Sequence, residues 1–411
     1  MDGNPTPYKY SQLDHGGNFF RVARLKAAKE RGAEIDCDLV DAQIGDGTDY
    51  EAVSYTWGTD KDADFVVINE ERLGIGLNLS LILRDLRLVN EDRVLWIDAI
   101  CIDQGNIPER SHQVQRMGDI FRFARQVLFC VGRPTEMTDL LFAVLRELHT
   151  CLVDGDHEPT DSRSTAEARS TDVLRILQKR HYALMPRVQQ GFDIIFQQSW
   201  FYRVWIVQEV ANAGQGRIHC GSPSLATDVF LAGLRFFNVT PPPHCQQILD
   251  MLPGQNRTAD RQPLFSLLQR LAASQASDAR DKVWALLDLC SDLEAKTALK
   301  PDYGKSEALL VLDMITYFCG CETTLIAPRA WTELSQFLPC IENLYNTVLE
   351  WVIAADDTVN LEVLLASDGD KGTIDLRVLY SAIENPKSSG RLIMSSAGCW
   401  SSEQTQNAAG P

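Results

Sequence analysis

The chain has 411 residues, 45% of them hydrophobic, which is enough for two or three domains with sizeable cores. Its net charge of −17 argues against nucleic acid or an anionic membrane surface as the main partner, because phosphate binding needs Lys and Arg in excess. The 11 cysteines include no CxxC pair and the seven histidines form no HExxH or His/Cys cluster, so reduced core cysteines are expected and no structural metal.

Residues 1–49 read as a lead-in. Met1 is followed by Asp2, Asn4, Pro5 and Pro7 rather than by a basic stretch and an apolar run, so no secretory signal is visible. No segment supplies the roughly eighteen uncharged apolar residues of a membrane span; residues 308–321 come nearest and are interrupted by Asp313. The expected location is the cytoplasm, with no membrane span. Residues 21–31 (RVARLKAAKER) suggest a short basic helix with a solvated face.

From residue 50 the pattern changes. Residues 51–57 (EAVSYTW) alternate, with Val53, Tyr55 and Trp57 on one side, while 65–68 (FVVI), 94–98 (VLWID) and 127–131 (VLFCV) are continuous β-rich runs. Continuous runs predict strands covered on both faces. Helical spacing is found over 79–89 and over 113–124, where Val114, Met117, Ile120, Phe121 and Ala124 make one stripe. Strands alternating with helices predict an α/β domain over 50–220 with a doubly wound parallel sheet. Residues 151–171 (CLVDGDHEPTDSRSTAEARST) are polar and read as an exposed insertion. Gly74-Ile-Gly76 lacks the third glycine of a dinucleotide fingerprint, so an ordinary Rossmann cofactor site is not indicated.

The segment SWFYRVWIVQEV, residues 199–210, places a carboxylate in an otherwise apolar helix. Trp205 and Glu209 are four apart and share a side. An apolar wall raises a carboxylate's pKa or forces it to find a partner, and the bland alternative to chemistry is a buried ion pair with Arg203 or another Arg. A short strand follows near 217–220, then the break at Pro241, Pro242 and Pro243. Downstream, helical patterns over 264–271, 281–289, 307–318 and 341–353 make 221–387 a mostly α-helical lobe, and 388–411 is Ser/Gly/Gln-rich and expected to be disordered.

Four segments, YEAVSYTWG at 50–58, LWIDAICIDQ at 95–104, RSHQVQRMGDIFRFA at 110–124 and SWFYRVWIVQEV at 199–210, together resemble the heterokaryon incompatibility (HET) domain of filamentous fungi; SDARDKVWALLDL at 277–289 is similar to a segment that often follows it. The resemblance implies a role in non-self recognition and programmed cell death when genetically different fungal cells fuse. Partners would be further copies of the chain or another incompatibility or receptor protein. HET domains are themselves similar to the Toll/interleukin-1 receptor (TIR) fold, and SYTWGTD at 54–60 resembles the loop after the first TIR strand.

In NAD-cleaving TIR domains the catalytic glutamate sits in W-x-x-x-E, so the resemblance makes Glu209, in Trp205-Ile-Val-Gln-Glu209, the candidate catalytic residue of an NAD glycohydrolase. NAD would be substrate rather than cofactor. Splitting the nicotinamide–ribose bond passes through an oxocarbenium-like state that a carboxylate can stabilise. Tyr55, Trp57 and Trp205 are candidate binding residues, with core packing as the alternative for the two tryptophans. Asp98, at the end of an apolar run where open α/β sheets form ligand crevices, is a further binding candidate, with capping of the next turn as its alternative. Asp103 stands where such domains usually have Asn and adds negative charge near that crevice. Three readings compete: an NAD-cleaving effector, a non-catalytic assembly module, and a degenerate or truncated member of the family.

Overall fold

The structure is a computed structural model that describes residues 7–343 except 15, 61, 156–181, 254–260 and 320–332. The chain divides into two compact units. The first holds residues up to 262 together with 270–276 and 301–303, and the second holds 263–269, 277–300 and the chain from 304 onward.

The first unit is built on a nine-stranded sheet: β1 (Phe19–Leu25), β2 (Asp36–Gln43), β3 (Glu51–Ser54), β4 (Asp64–Ile68), β5 (Glu71–Ile75), β6 (Arg93–Trp96), β7 (Gln126–Gly132), β8 (Gly216–Cys220) and β9 (Ser224–Ala226). Their spatial order is β5-β4-β2-β1-β6-β3-β7-β8-β9. β3 is parallel to β6 and β7, and β7 to β8. Taken in chain order, these four strands lie 2-1-3-4, so the chain leaves β3 in one direction to reach β6 and returns across it to β7, as doubly wound sheets do. Flanking strands depart from the expected all-parallel sheet. β1 pairs antiparallel with both β2 and β6, β4 with β5, and β8 with β9, so the sheet is mixed. Three of these four pairs join consecutive strands, as at β4–β5, where Asn69 and Glu70 both take positive φ, 53° and 68°, the signature of a two-residue hairpin turn; β1 and β6 are instead brought together from distant parts of the chain.

Two expectations about individual segments are corrected. Residues 21–25 are strand, not basic helix: Phe20, Val22, Ala23 and Leu25 are buried, and so is Arg21, at 1% exposed. The run at 65–68 is a strand, but with Val66 and Ile68 buried and Phe65 and Val67 only half-buried, because it lies one place from the sheet edge rather than in its centre. By contrast every residue of β3 is buried, as are residues 127–131 of β7, consistent with cover on both faces.

Among the described residues, six helices lie on the parallel crossovers. α1 (Leu77–Leu86) buries Leu79, Leu83 and Leu86, and α2 (Asp98–Cys101) is a single turn after β6. α3 (Ile107–Phe123) starts six residues before the predicted stripe because Asn106 caps it, its Oδ1 accepting from the Glu109 amide at 3.1 Å, with a proline in the first turn. α4 (Glu136–Gly155) runs into the expected insertion; the rest of 151–171 lies outside the described residues. α5 (Met185–Phe196) packs on α4, where Gly191 leaves no room for a side chain: an added Cβ would meet the Met137 carbonyl oxygen at 2.7 Å. A 3₁₀ turn (Ser199–Tyr202) then leads into α6 (Trp205–Asn212).

In the second unit the described stretches are helical at Leu264–Arg270, Asp281–Trp284, Leu293–Ala298, Glu307–Cys319 and Leu334–Phe337, with 3₁₀ turns at Leu287–Leu289 and Leu338–Asn343. The pattern at 281–289 is therefore two short pieces, and most of 341–353 and all of 388–411 lie outside the described residues. Six described cysteines, at 37, 101, 130, 220, 245 and 290, are buried and unpaired in disulfides. No described helix is long and apolar enough to cross a membrane.

Candidate functional site

The carboxyl ends of β3 and β6 lie side by side, and two of the proposed site residues leave them together. Beyond β3 the chain runs through buried Tyr55 to half-buried Trp57 and turns at Gly58, whose φ of +81° is a left-handed conformation that favours glycine. Beyond β6, Asp98 opens α2 and is 8% exposed. The Trp57 indole N–H donates to Asp98 Oδ2 at 2.7 Å, a charge-assisted bond. Asp98 Oδ1 accepts from the Ala99 amide at 2.8 Å, and the Gln104 side-chain amide donates to the Asp98 carbonyl at 2.8 Å. Asp98 thus both holds the turn and engages the tryptophan that follows the neighbouring strand.

Arg203 ties this pair to α6. It sits between the 3₁₀ turn and the helix, with its backbone N–H bonded to the Trp200 carbonyl and its side chain turned toward the strand ends. Nη2 donates to Asp98 Oδ2 at 3.2 Å and Nη1 donates to the Tyr55 carbonyl. The guanidinium lies 5.9 Å from the centre of the Trp57 ring. Nη1 is 4.0 Å from Glu209 Oε1, the outer limit of an ion pair. One guanidinium therefore stands between two carboxylates, and charge attraction from both outweighs its own desolvation and raises its pKa.

Glu209 is 2% exposed, and its Oε2 has no hydrogen-bond partner. Burial pushes its pKa from 4.5 up to about 7, against the opposing charge of Arg203 and the Ser54 hydroxyl. Ser54 in turn accepts from the Trp200 indole N–H at 3.0 Å. Burial also raises the Tyr55 phenol well above its ordinary value, with the Asp98 charge adding to it. The carboxyl group thus keeps a raised pKa behind an arginine, an arrangement suited to proton exchange or to charge stabilisation once substrate can reach it.

The structure thus joins Tyr55, Trp57, Asp98 and Glu209 in one cluster. Trp205 is buried within α6, but among the described residues no hydrogen bond or ring contact joins it to that cluster. Asp103 is turned back on its own loop, accepting from the Gly105 amide at 3.1 Å. What sequence reasoning underrated is Arg203, weighed only as the partner of a structural pair. It is six residues before Glu209, a spacing that puts two residues on different faces of a regular helix, and they meet only because Arg203 precedes α6.

A second buried ion pair fixes the loop after α2. Arg21 and Glu109 are each 1% exposed and form a two-armed contact at 2.6 and 3.1 Å. Glu109 Oε1 also accepts from the Asp103 amide at 2.8 Å, while Arg21 donates to the carbonyls of Ser11 at 2.6 Å and Cys101 at 3.2 Å. Both carboxylate oxygens of Glu109 and both terminal nitrogens of Arg21 are used for scaffolding; Arg21 Nε has no hydrogen-bond partner and lies 3.8 Å from Asp41 Oδ1.

The segments that build these contacts coincide with a known domain: residues 50–209 match the family model described as heterokaryon incompatibility protein (HET). The chain carries a HET domain. It is also similar to heterokaryon incompatibility protein 6, OR allele, of Neurospora crassa, 25% identical over 359 residues that make up 75% of this chain and 52% of that protein. The chain therefore spans about half the length of that relative. No solved structure matches it. The HET match begins at Tyr50, whose hydroxyl donates to the Ile120 carbonyl at 2.6 Å, and ends on Glu209 itself. Trp57, Asp98 and Arg203 all lie inside it, whereas Arg21, the other charged anchor of the sheet, lies before it.

Proposed function

We propose that this chain is an effector of fungal non-self recognition that acts through its HET domain in programmed cell death on fusion of unlike cells. The match over residues 50–209 and the name of the Neurospora crassa relative support the role. On execution, the observation that carries most weight is the sealing of Glu209: 2% exposed and behind Arg203, it meets no substrate in this conformation. The geometry supports a resting module in which Arg203 holds the ends of β3 and β6 to α6. Its response is triggered by assembly with further copies or with a receptor.

A second reading, NAD cleavage by a TIR-like site, is favoured by a specific feature of the same cluster. Glu209 keeps an unpartnered buried oxygen and a pKa near 7, a costly state for a residue with only a structural task. The doubly wound core of parallel strands is also compatible with a TIR-like fold. Assembly would have to swing Arg203 away, after which Glu209 would face the developing positive charge on the ribose. Trp57 would supply an aromatic face for the leaving nicotinamide. The test is nicotinamide release by purified, concentrated protein, run beside cell death on expression, for the wild type and Glu209→Gln. Nicotinamide release that Glu209→Gln reduces a hundredfold or more, with death abolished, establishes the second reading. Undiminished death without nicotinamide release establishes assembly alone.

A further inference from the structure

The backbone on either side of Arg203 is held by a segment that lies beyond the HET match. Gln275 pairs with Arg203 in an isolated parallel bridge: the Gln275 amide donates to the Tyr202 carbonyl at 2.5 Å, and the Gln275 carbonyl accepts from the Val204 amide at 2.9 Å. Residues 270–276 belong with the first unit, whereas the chain just before them, 263–269, and just after them, 277–300, belongs to the second. They form a short strap with an internal turn, in which the Ser274 amide donates to the Leu271 carbonyl at 2.9 Å. Leu271 is the apolar anchor. It is 6% exposed and lines, with Phe201, Tyr202, His244 and Ile248, a slot of about 10 Å³, no larger than one water, so the strap is closely seated.

Arg203 is a residue that needs such a hold. It is extended, with φ −71° and ψ 126°, between the 3₁₀ turn and α6. The Val204 amide, at the start of α6, is one of the donors that a helix N-terminus leaves without an intrahelical acceptor, and it finds one on Gln275. Rotation about the two backbone dihedrals of Arg203 swings its side chain away from Asp98 and Glu209. The strap itself is lightly attached: Ala272, Ala273 and Gln275 are exposed, and two backbone hydrogen bonds with one buried leucine make a contact that opens locally while the sheet stays folded.

We propose that residues 270–276 are an autoinhibitory strap: paired with the backbone on both sides of Arg203, they keep its guanidinium between Asp98 and Glu209, and their detachment uncovers Glu209. The inference rests on the reading of Arg203 as the seal of Glu209 and names what controls that seal. Both ends of the strap run directly into the second unit, so a partner that engages that unit acts on Arg203 through the chain itself.

The test is carbodiimide coupling of glycine ethyl ester to the carboxyl groups of the full chain, mapped by mass spectrometry, beside amide hydrogen exchange. Glu51 and Glu109, each 1% exposed and each paired with an arginine, serve as internal controls. In the wild type Glu209 is expected to be as protected as these two. Gln275→Pro removes the amide that bonds the Tyr202 carbonyl, and Leu271→Asp places a charge at the buried anchor. Each is expected to speed amide exchange over 202–206 and labelling of Glu209 by roughly tenfold or more, with Glu51 and Glu109 still protected. Gln275→Ala keeps the backbone pairing and should behave as the wild type. Labelling of Glu209 without nicotinamide release in these variants supports the strap while counting against NAD cleavage, so the two readings fail separately. Glu209 as protected as Glu109 in both strap variants overturns the proposal, as do labelling of all three glutamates together and equal labelling in Gln275→Ala.

Discussion

Replacing Glu209 with Gln keeps the side-chain volume and removes a titration. The folded-state pKa is raised from 4.5 to about 7, so the folded protein holds a proton that the unfolded chain releases between those values. Stability from that proton is fully present below pH 4.5 and is lost as pH rises through about 7; the two values differ by enough to be worth about 3 kcal/mol. Gln does not titrate. Relative to the wild type, Glu209→Gln should therefore gain stability steadily from pH 4.5 to 7 and level off above it, by about 3 kcal/mol in all. The residue is 2% exposed, so solvent screening takes little from this figure. Urea unfolding of the full chain at pH 5, 6, 7 and 8, followed by tryptophan fluorescence, reads the difference, and a carboxyl ¹³C titration reads the pKa directly. A wild-type minus variant difference that stays flat across this range would show that Glu209 is ionised throughout and that burial is not the dominant influence on it.

Arg203→Met removes the cation between Asp98 and Glu209 and should cost about 3–5 kcal/mol at pH 8. Adding Glu209→Gln should recover part of that loss, and a double-mutant cycle by urea unfolding measures the coupling. Arg21→Met strands Glu109, 1% exposed, and should cost a similar amount, about 3–5 kcal/mol, with limited proteolysis appearing first in the loop at 102–106 that Glu109 holds. Gly191→Ala forces the new Cβ against the Met137 carbonyl and the Leu141 Cβ, 2.7 and 2.9 Å away; the shift of α4 against α5 should lower stability by about 1–3 kcal/mol, read as a fall in melting temperature.

Much of the domain was written in local pattern. The continuous apolar runs at 94–98 and 127–131 fall at β6 and β7 in the middle of the sheet, where β3 is parallel to both and residues 127–131 are buried throughout. The stripe from Val114 to Ala124 falls in α3, and the tryptophan-rich segments identify the HET domain across 50–209. These features survive in sequence because periodicity and short motifs depend only on neighbours along the chain.

Tertiary structure decided the rest. A basic stretch at 21–25 became a buried strand because Glu109, 88 residues away, supplies the countercharge for Arg21. The expected parallel sheet became mixed because hairpins add antiparallel strands and because β1 lies antiparallel beside the distant β6, and nothing in β4 alone shows which neighbour it will take. Trp57, Asp98 and Arg203 meet only because β3 and β6 end side by side and α6 begins beside them; their partners lie 41 and 105 residues apart in sequence. Sequence placed Glu209 on an apolar face beside a tryptophan; only the fold sealed it, turned Arg203 toward it and left one oxygen without a partner. Spacing along a chain fixes which residues share a face, whereas the desolvation that sets a charge's behaviour depends on everything packed around it.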